Sequence, residues 1–313
     1  MPDSIASPAA FAIFAVGLVA MLALDLGLFQ RKAHTPSLRE SIGFTLFWIL
    51  LSTLFGIGVW HFSGAEAGLQ FATGYVLEKA LSVDNLFVML VVMRAFAVPG
   101  PQQHRVLFWG VLGALVMRGI FIFAGVALIS RFHWLLLIFG AFLVFTGIKL
   151  ALQKTEDVHP ENNVFVKLLK KWLPVSTEPN ASTFTVMEHG RRAITPLLLA
   201  LVTVEVTDLI FAVDSIPAVF AVSHDPFIVL TSNIFAVMGL RSLFFVLADL
   251  MERFVFLKFG LAAVLVFVGG KMLVEPWFKV PIALSLLVIL AMLALSVVLS
   301  LVRNRMRESA LHT

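Results

Sequence analysis

Nine apolar stretches of about twenty residues each punctuate this chain, at roughly 9–29, 42–62, 69–93, 106–129, 134–152, 195–222, 227–249, 255–274 and 281–302. A helix of that length crosses roughly 30 Å of hydrocarbon, where only helices and closed barrels satisfy their backbone groups. Period-two alternation is absent, so barrel strands are excluded. The chain reads as an all-α integral membrane protein of nine transmembrane helices, with the lipid bilayer as its first partner. Composition agrees: 60% of the 313 residues are hydrophobic and 13% charged, more apolar surface than a soluble core absorbs.

An odd number of spans puts the termini on opposite sides. With the N-terminus outside, sixteen Lys and Arg fall on the cytoplasmic side and only Arg131 and Lys279 outside, which fits the positive-inside rule and places the C-terminus in the cytoplasm. The net charge of +4 is therefore topology rather than a nucleic-acid footprint. The first run holds Asp25 and is followed by "QRK", so it reads as a span and not a cleaved leader. Segment 153–194 is the long cytoplasmic loop; "NNVFVKLLKKWLP" within it suits an interfacial helix, and "TFTVMEHGRRAIT" a hairpin turning near His189-Gly190.

Two stretches resemble each other. Setting "EKALSVDN" on "DLIFAVDS" aligns Glu78 with Asp208, Asp84 with Asp214 and Asn85 with Ser215. The match continues from "VMRGIFIF" to "GLRSLFFV", with Arg118 opposite Arg241, and from "FLVFTGIKL" to "VLVFVGGKM", with Lys149 opposite Lys271. Spans three to five (69–152) thus recur as spans six to eight (195–274), inverted in the membrane by the topology above, after two N-terminal spans (9–62) and before a last one (281–302). Such inverted repeats build many secondary transporters, with the site near the midplane.

Six carboxylates lie within spans: Asp25, Glu78, Asp84, Glu205, Asp208 and Asp214. Each is costly against lipid, so each must face a cavity, a cation or a base. The in-span bases Lys79, Arg118, Lys149, Arg241 and Lys271 allow structural ion pairs. Against that reading, Lys149 and Lys271 sit near span ends and can snorkel. Six residues separate the acids of each repeat, leaving them about 120° apart and about 9 Å along an unbroken helix. Pro217 supplies a cause for a local break in the sixth span. Carboxylates, Asn85, Ser215 and freed carbonyls form a hard-oxygen set suited to Mn²⁺, Ca²⁺ or Mg²⁺. Asn233 reads first as an interhelical hydrogen bond. Cysteine is absent, which removes disulfides, zinc thiolates and thiol redox chemistry.

The strings "EKALSVDNLFVM", "LIFAVDSIPAVFAV" and "DPFIVLTSNIFAVMGLRSLFFVL" resemble the TerC family, closest to its Alx branch, over nearly the whole chain. The resemblance implies a bacterial inner-membrane protein, with tellurite resistance named for some members and manganese efflux for others. Its acidic motif positions correspond to Glu78, Asp84, Asn85, Glu205, Asp208 and Asp214. A tellurite oxyanion does not suit that ligand set.

The expectation is a Mn²⁺ exporter, not an enzyme, working by alternating access with proton exchange and needing no prosthetic group. No nucleotide-binding motif is visible, so ATP is not its energy source. The rival expectation is a non-transporting membrane scaffold in a stress-response complex, its buried charges being structural pairs. An intramembrane aspartyl protease would need a GxGD context that neither aspartate has.

Overall fold

A computed structural model describes residues 4–29, 37–132, 134–152, 174–176, 183–188, 191–250, 256–278 and 280–311. Its helices are α1 (Pro8–Phe29), α2 (Leu38–Ser63), α3 (Ala65–Ala95), α4 (Gly100–Arg131), α5 (Leu135–Leu152), α6 (Pro196–Phe220), α7 (Pro226–Val237), α8 (Leu240–Leu250), α9 (Leu257–Val274) and α10 (Ile282–Leu311). Helix thus occurs at every stretch where apolarity predicts a span. By length and composition, six helices among the described residues are long and apolar enough to cross a membrane, or seven if the bent pair α7–α8 counts as one. The protein is an all-α membrane protein, and the charges in α3 are what set that helix apart from a plain span.

Local chemistry explains the helix starts. Ser37 and Glu40 form a reciprocal capping box on α2. Thr195 caps α6 ahead of Pro196, and Asp225 caps α7 ahead of Pro226, proline being suited to a first turn whose N–H has no partner in the helix.

One expectation about breaks is corrected. Helix α6 runs unbroken past Asp214 and through Pro217 to Phe220, so the single N–H that Pro217 lacks does not interrupt it. The break falls in the predicted span 227–249 instead. Gly239, at φ +81°, separates α7 from α8, which bend by 41°, and the Trp48 ring packs directly on it. Only glycine adopts that backbone angle without steric penalty.

Helix α3 is the hub, packed by α2, α6, α7, α8 and α10. A cluster of phenylalanines ties α1, α2, α3 and α7 together, with Phe55 and Phe235 centroids 4.7 Å apart and Phe11 and Phe227 5.1 Å apart. Helices α5 and α9 cross antiparallel on small residues: Gly140 faces Gly269 and Gly147 faces Ala262. Leu46, Leu50 and Leu54 of α2 and Leu284, Leu287 and Leu295 of α10 point outward, as a lipid-facing belt requires. The expected hairpin is present: β1 (Thr185–Glu188) pairs antiparallel with β2 (Arg191–Ile194), Glu188 opposite Arg191. The expected interfacial helix at 162–174 lies almost entirely outside the described residues.

Candidate functional site

The middle of the bundle holds buried charge. Glu78 stands near the centre of α3 and Asp208 near the centre of α6, 0% and 3% exposed. Between them lies Arg118 of α4, the largest fully buried side chain, 1% exposed. Its Nη2 donates to Asp208 Oδ1 at 3.1 Å and its Nε to Asp208 Oδ2 at 3.3 Å, a two-pronged grip, while Nη1 donates to Glu78 Oε1. Nη1 also reaches Asn233 Oδ1 of α7 at 3.4 Å. Asn85, two turns beyond Glu78, donates from Nδ2 to Asp208 Oδ1 at 3.4 Å.

This arrangement joins three of the residues singled out by the sequence, Glu78, Asn85 and Asp208, and uses one of the in-span bases to do so. The ion-pair reading therefore holds for Glu78 and Asp208. Asn233 makes the interhelical hydrogen bond expected of it, with Arg118 as donor. Glu205 does not join: it lies one turn before Asp208, half-buried, its carboxylate resting against Gly113 of α4, where a Cβ would overlap it. The side chains of Asp25, Asp84 and Asp214 lie outside the described residues. Among the described residues no three His, Asp or Glu side chains converge on one metal position. Instead, the Arg118 guanidinium stands between Glu78 and Asp208 and holds oxygens of both.

Several polar atoms nearby are buried yet unpartnered among the described residues, including Glu78 Oε2, Asn233 Nδ2, Ser82 Oγ and Ser215 Oγ. Buried polar atoms are usually hydrogen-bonded, so each of these orphans is an exception. A cavity of about 200 Å³ adjoins the cluster, with Asn85, Ser215, Thr146 and Lys149 in its wall. A larger cavity of about 650 Å³, lined by Glu66, Gln70, His224, Lys271 and Glu275, lies at the other end of the bundle. The antiparallel crossing of α5 and α9 sets Lys149 and Lys271 at those opposite ends.

Lys79 has a use the sequence did not disclose. Its Nζ donates to the carbonyls of Ala236 at 3.0 Å and Met238 at 3.4 Å, the end of α7 exposed by the break at Gly239. A cation there meets both the unsatisfied carbonyls and the negative end of the helix dipole. No local signal in "EKALSV" could have named a partner 157 residues away.

Residues 63–308 match the integral membrane protein TerC family. The chain belongs to that family. Membrane protein STKORF319 of Myxococcus xanthus is 51% identical over 302 residues, covering 96% of this chain and 95% of its own. The candidate membrane-bound redox modulator Alx of Salmonella typhi is 45% identical over 318 residues, 99% of each chain, and Alx of Escherichia coli K12 is 44% identical over 307 residues, 95% and 96% of the two chains. No solved structure matches the chain significantly. The TerC match begins just before α3 and ends within α10, so it takes in every residue of the Glu78–Arg118–Asp208 cluster.

Proposed function

We propose that this TerC-family chain exports a divalent cation, Mn²⁺ foremost, across the bacterial inner membrane by alternating access, in exchange for protons. The carrying observation is the buried cluster. Acids from two sequence-matched helices converge on one guanidinium in the middle of the bundle, with an unpartnered Glu78 oxygen and a cavity at Asn85. Glu78, Asn85 and Asp208 are the inner oxygen ligands in this reading, with Asp84 and Asp214 beside Asn85 and Ser215 in sequence. Hard oxygen donors favour Mn²⁺, Mg²⁺ or Ca²⁺.

Nine spans with inverted triplets remain the architecture proposed here, and the packing supports it. Sequence matching pairs Gly140 with Ala262 and Gly147 with Gly269. A twofold exchange of the triplets therefore turns the Gly140–Gly269 contact into Ala262–Gly147, which is also present. Likewise α3 packs on α7 as α6 packs on α4. The orphaned Ser215 Oγ and Glu78 Oε2 are the counterparts of the bonded Asn85 and Asp208.

On the positive-inside orientation, the cavity at Asn85 reaches the cytoplasmic end through Lys149, as an exporter loading its cargo requires. Moving a divalent cation out against an inside-negative potential costs about 4.6 kcal/mol per 100 mV, so a coupling ion is needed. Carboxylates able to hold either protons or metal supply one. The relatives' redox name does not transfer as thiol chemistry, because this chain has no cysteine.

A second reading has an observation in its favour: the Arg118 pairs suit a scaffold whose buried charges are purely structural. Liposome flux separates the two. With the purified chain, a lumenal Mn²⁺-sensing dye and a proton gradient, wild type is expected to move Mn²⁺, whereas folded Asp84→Asn and Asp214→Asn are not. Absence of wild-type flux, with variants that mainly unfold, would favour the scaffold.

A further inference from the structure

The oxygens a transported metal would need are already in use. Asp208 gives both carboxylate oxygens to Arg118 Nη2 and Nε, and Glu78 gives Oε1 to Nη1. A divalent cation draws on the same lone pairs, at about 2.0–2.5 Å. Two cations that close, in a medium that screens poorly, repel strongly. One must leave when the other arrives.

The structure supplies a place for the guanidinium to go. Glu205 lies three residues from Asp208 on the same face of α6, about 4.5 Å along the axis, a distance the long arginine side chain can swing. Its carboxylate rests on α4 itself, at Gly113, five residues from Arg118, in space that exists only because residue 113 lacks a Cβ. Among the described residues Glu205 makes no hydrogen bond or ion pair. Charge also closes: with Arg118 as their one cation, the three carboxylates leave two negative charges uncompensated. With a divalent cation on Glu78 and Asp208 and Arg118 on Glu205, none is left.

We propose that Arg118 is a tethered competitor of the transported cation, and that metal binding hands its guanidinium from Asp208 to Glu205. This rests on the exporter reading above and assigns Glu205 a role other than ligand. Because Arg118 belongs to α4 and the acids to α3 and α6, the hand-over also couples occupancy to the packing of three helices. A bound metal is then released by the returning arginine instead of being trapped.

The test is Mn²⁺ binding to the full chain in nanodiscs, read from the electron paramagnetic resonance of free Mn²⁺, beside liposome flux. Arg118→Gln is expected to bind Mn²⁺ at least tenfold tighter than wild type and to export it more slowly. Arg118→Lys keeps the charge without the fork and should fall between. Should Arg118→Gln be recoverable only unfolded, millimolar Mn²⁺ during extraction would restore it, because the metal replaces the lost charge. Glu205→Gln should weaken binding in wild type but not in the Arg118→Gln background.

A folded Arg118→Gln that binds Mn²⁺ no tighter than wild type, or an unfolded one that Mn²⁺ fails to restore, overturns the competitor role. Equal loss from Glu205→Gln in both backgrounds makes Glu205 a ligand and overturns the hand-over. Wild type that neither binds nor moves Mn²⁺ overturns the exporter reading itself, and this proposal with it.

Discussion

Gly140 and Gly269 each lie against the other's carbonyl: a Cβ on Gly140 would stand 2.9 Å from the Gly269 oxygen, and one on Gly269 2.6 Å from the Gly140 oxygen. Backbone cannot yield as a side-chain tip can. Gly269→Ala is therefore expected to cost about 1–3 kcal/mol, the usual range for overpacking. Gly270→Ala, next along the same helix and open on all sides to 4 Å, should be neutral or slightly stabilising. Unfolding of both variants in detergent checks this, and equal midpoints would contradict the close crossing.

Lys79→Met removes the donors to the Ala236 and Met238 carbonyls while keeping the length of the side chain. Two buried acceptors losing a charged donor should cost about 1–3 kcal/mol. The loss should be local: hydrogen exchange is expected to quicken at 234–243 and to stay unchanged in α5. Uniform acceleration across the protein would mean that Lys79 does not serve the break in particular.

Gly239→Ala faces two penalties, a left-handed backbone angle and contact with Trp48, whose ring atoms Cδ1 and Cγ and whose Cβ would stand 2.8–2.9 Å away. Trp48→Ala removes the ring contacts, leaving the Cβ contact and the backbone angle. In the Trp48→Ala background, Gly239→Ala should still lower stability by about 1–2 kcal/mol. A cost that vanishes there would assign the whole effect to the ring.

Asp225 caps α7 through Phe227 and Ile228 N–H and also accepts from Ile5 N at 2.6 Å and Ser4 Oγ at 3.3 Å. Asp225→Ala should cost about 0.5–2 kcal/mol as a lost cap and release the N-terminus as well. Limited proteolysis is the check: cleavage before α1 should speed up in Asp225→Ala and much less in Asp225→Asn, whose carbonyl still accepts. Unchanged cleavage would remove the tether.

The all-α membrane class was legible because hydrocarbon imposes one length and one polarity on any helix that crosses it, and composition reports both directly. The hairpin of 185–188 and 191–194 was legible for a similar local reason, its two strands being close neighbours in the chain. The importance of Glu78 and Asp208 was also legible, since a carboxylate in an apolar run demands an explanation wherever it points. Their partner was not. Arg118 sits 40 residues from one acid and 90 from the other, and nothing in "VMRGIF" separates an arginine that bridges two acids from one that snorkels.

Pro217 marks the limit of local reasoning from the opposite side. A proline three residues after an aspartate argues for a break, yet α6 continues through it, and the bend falls at Gly239, where Trp48 and Lys79 from two other helices hold it. Sequence alone determined that this chain lives in a bilayer, how its helices are spaced and which acids must be answered. Tertiary packing decided what answers them, because inside a membrane a buried charge is settled by whichever opposite charge or carbonyl end the bundle brings within reach, and that reach is a property of three dimensions.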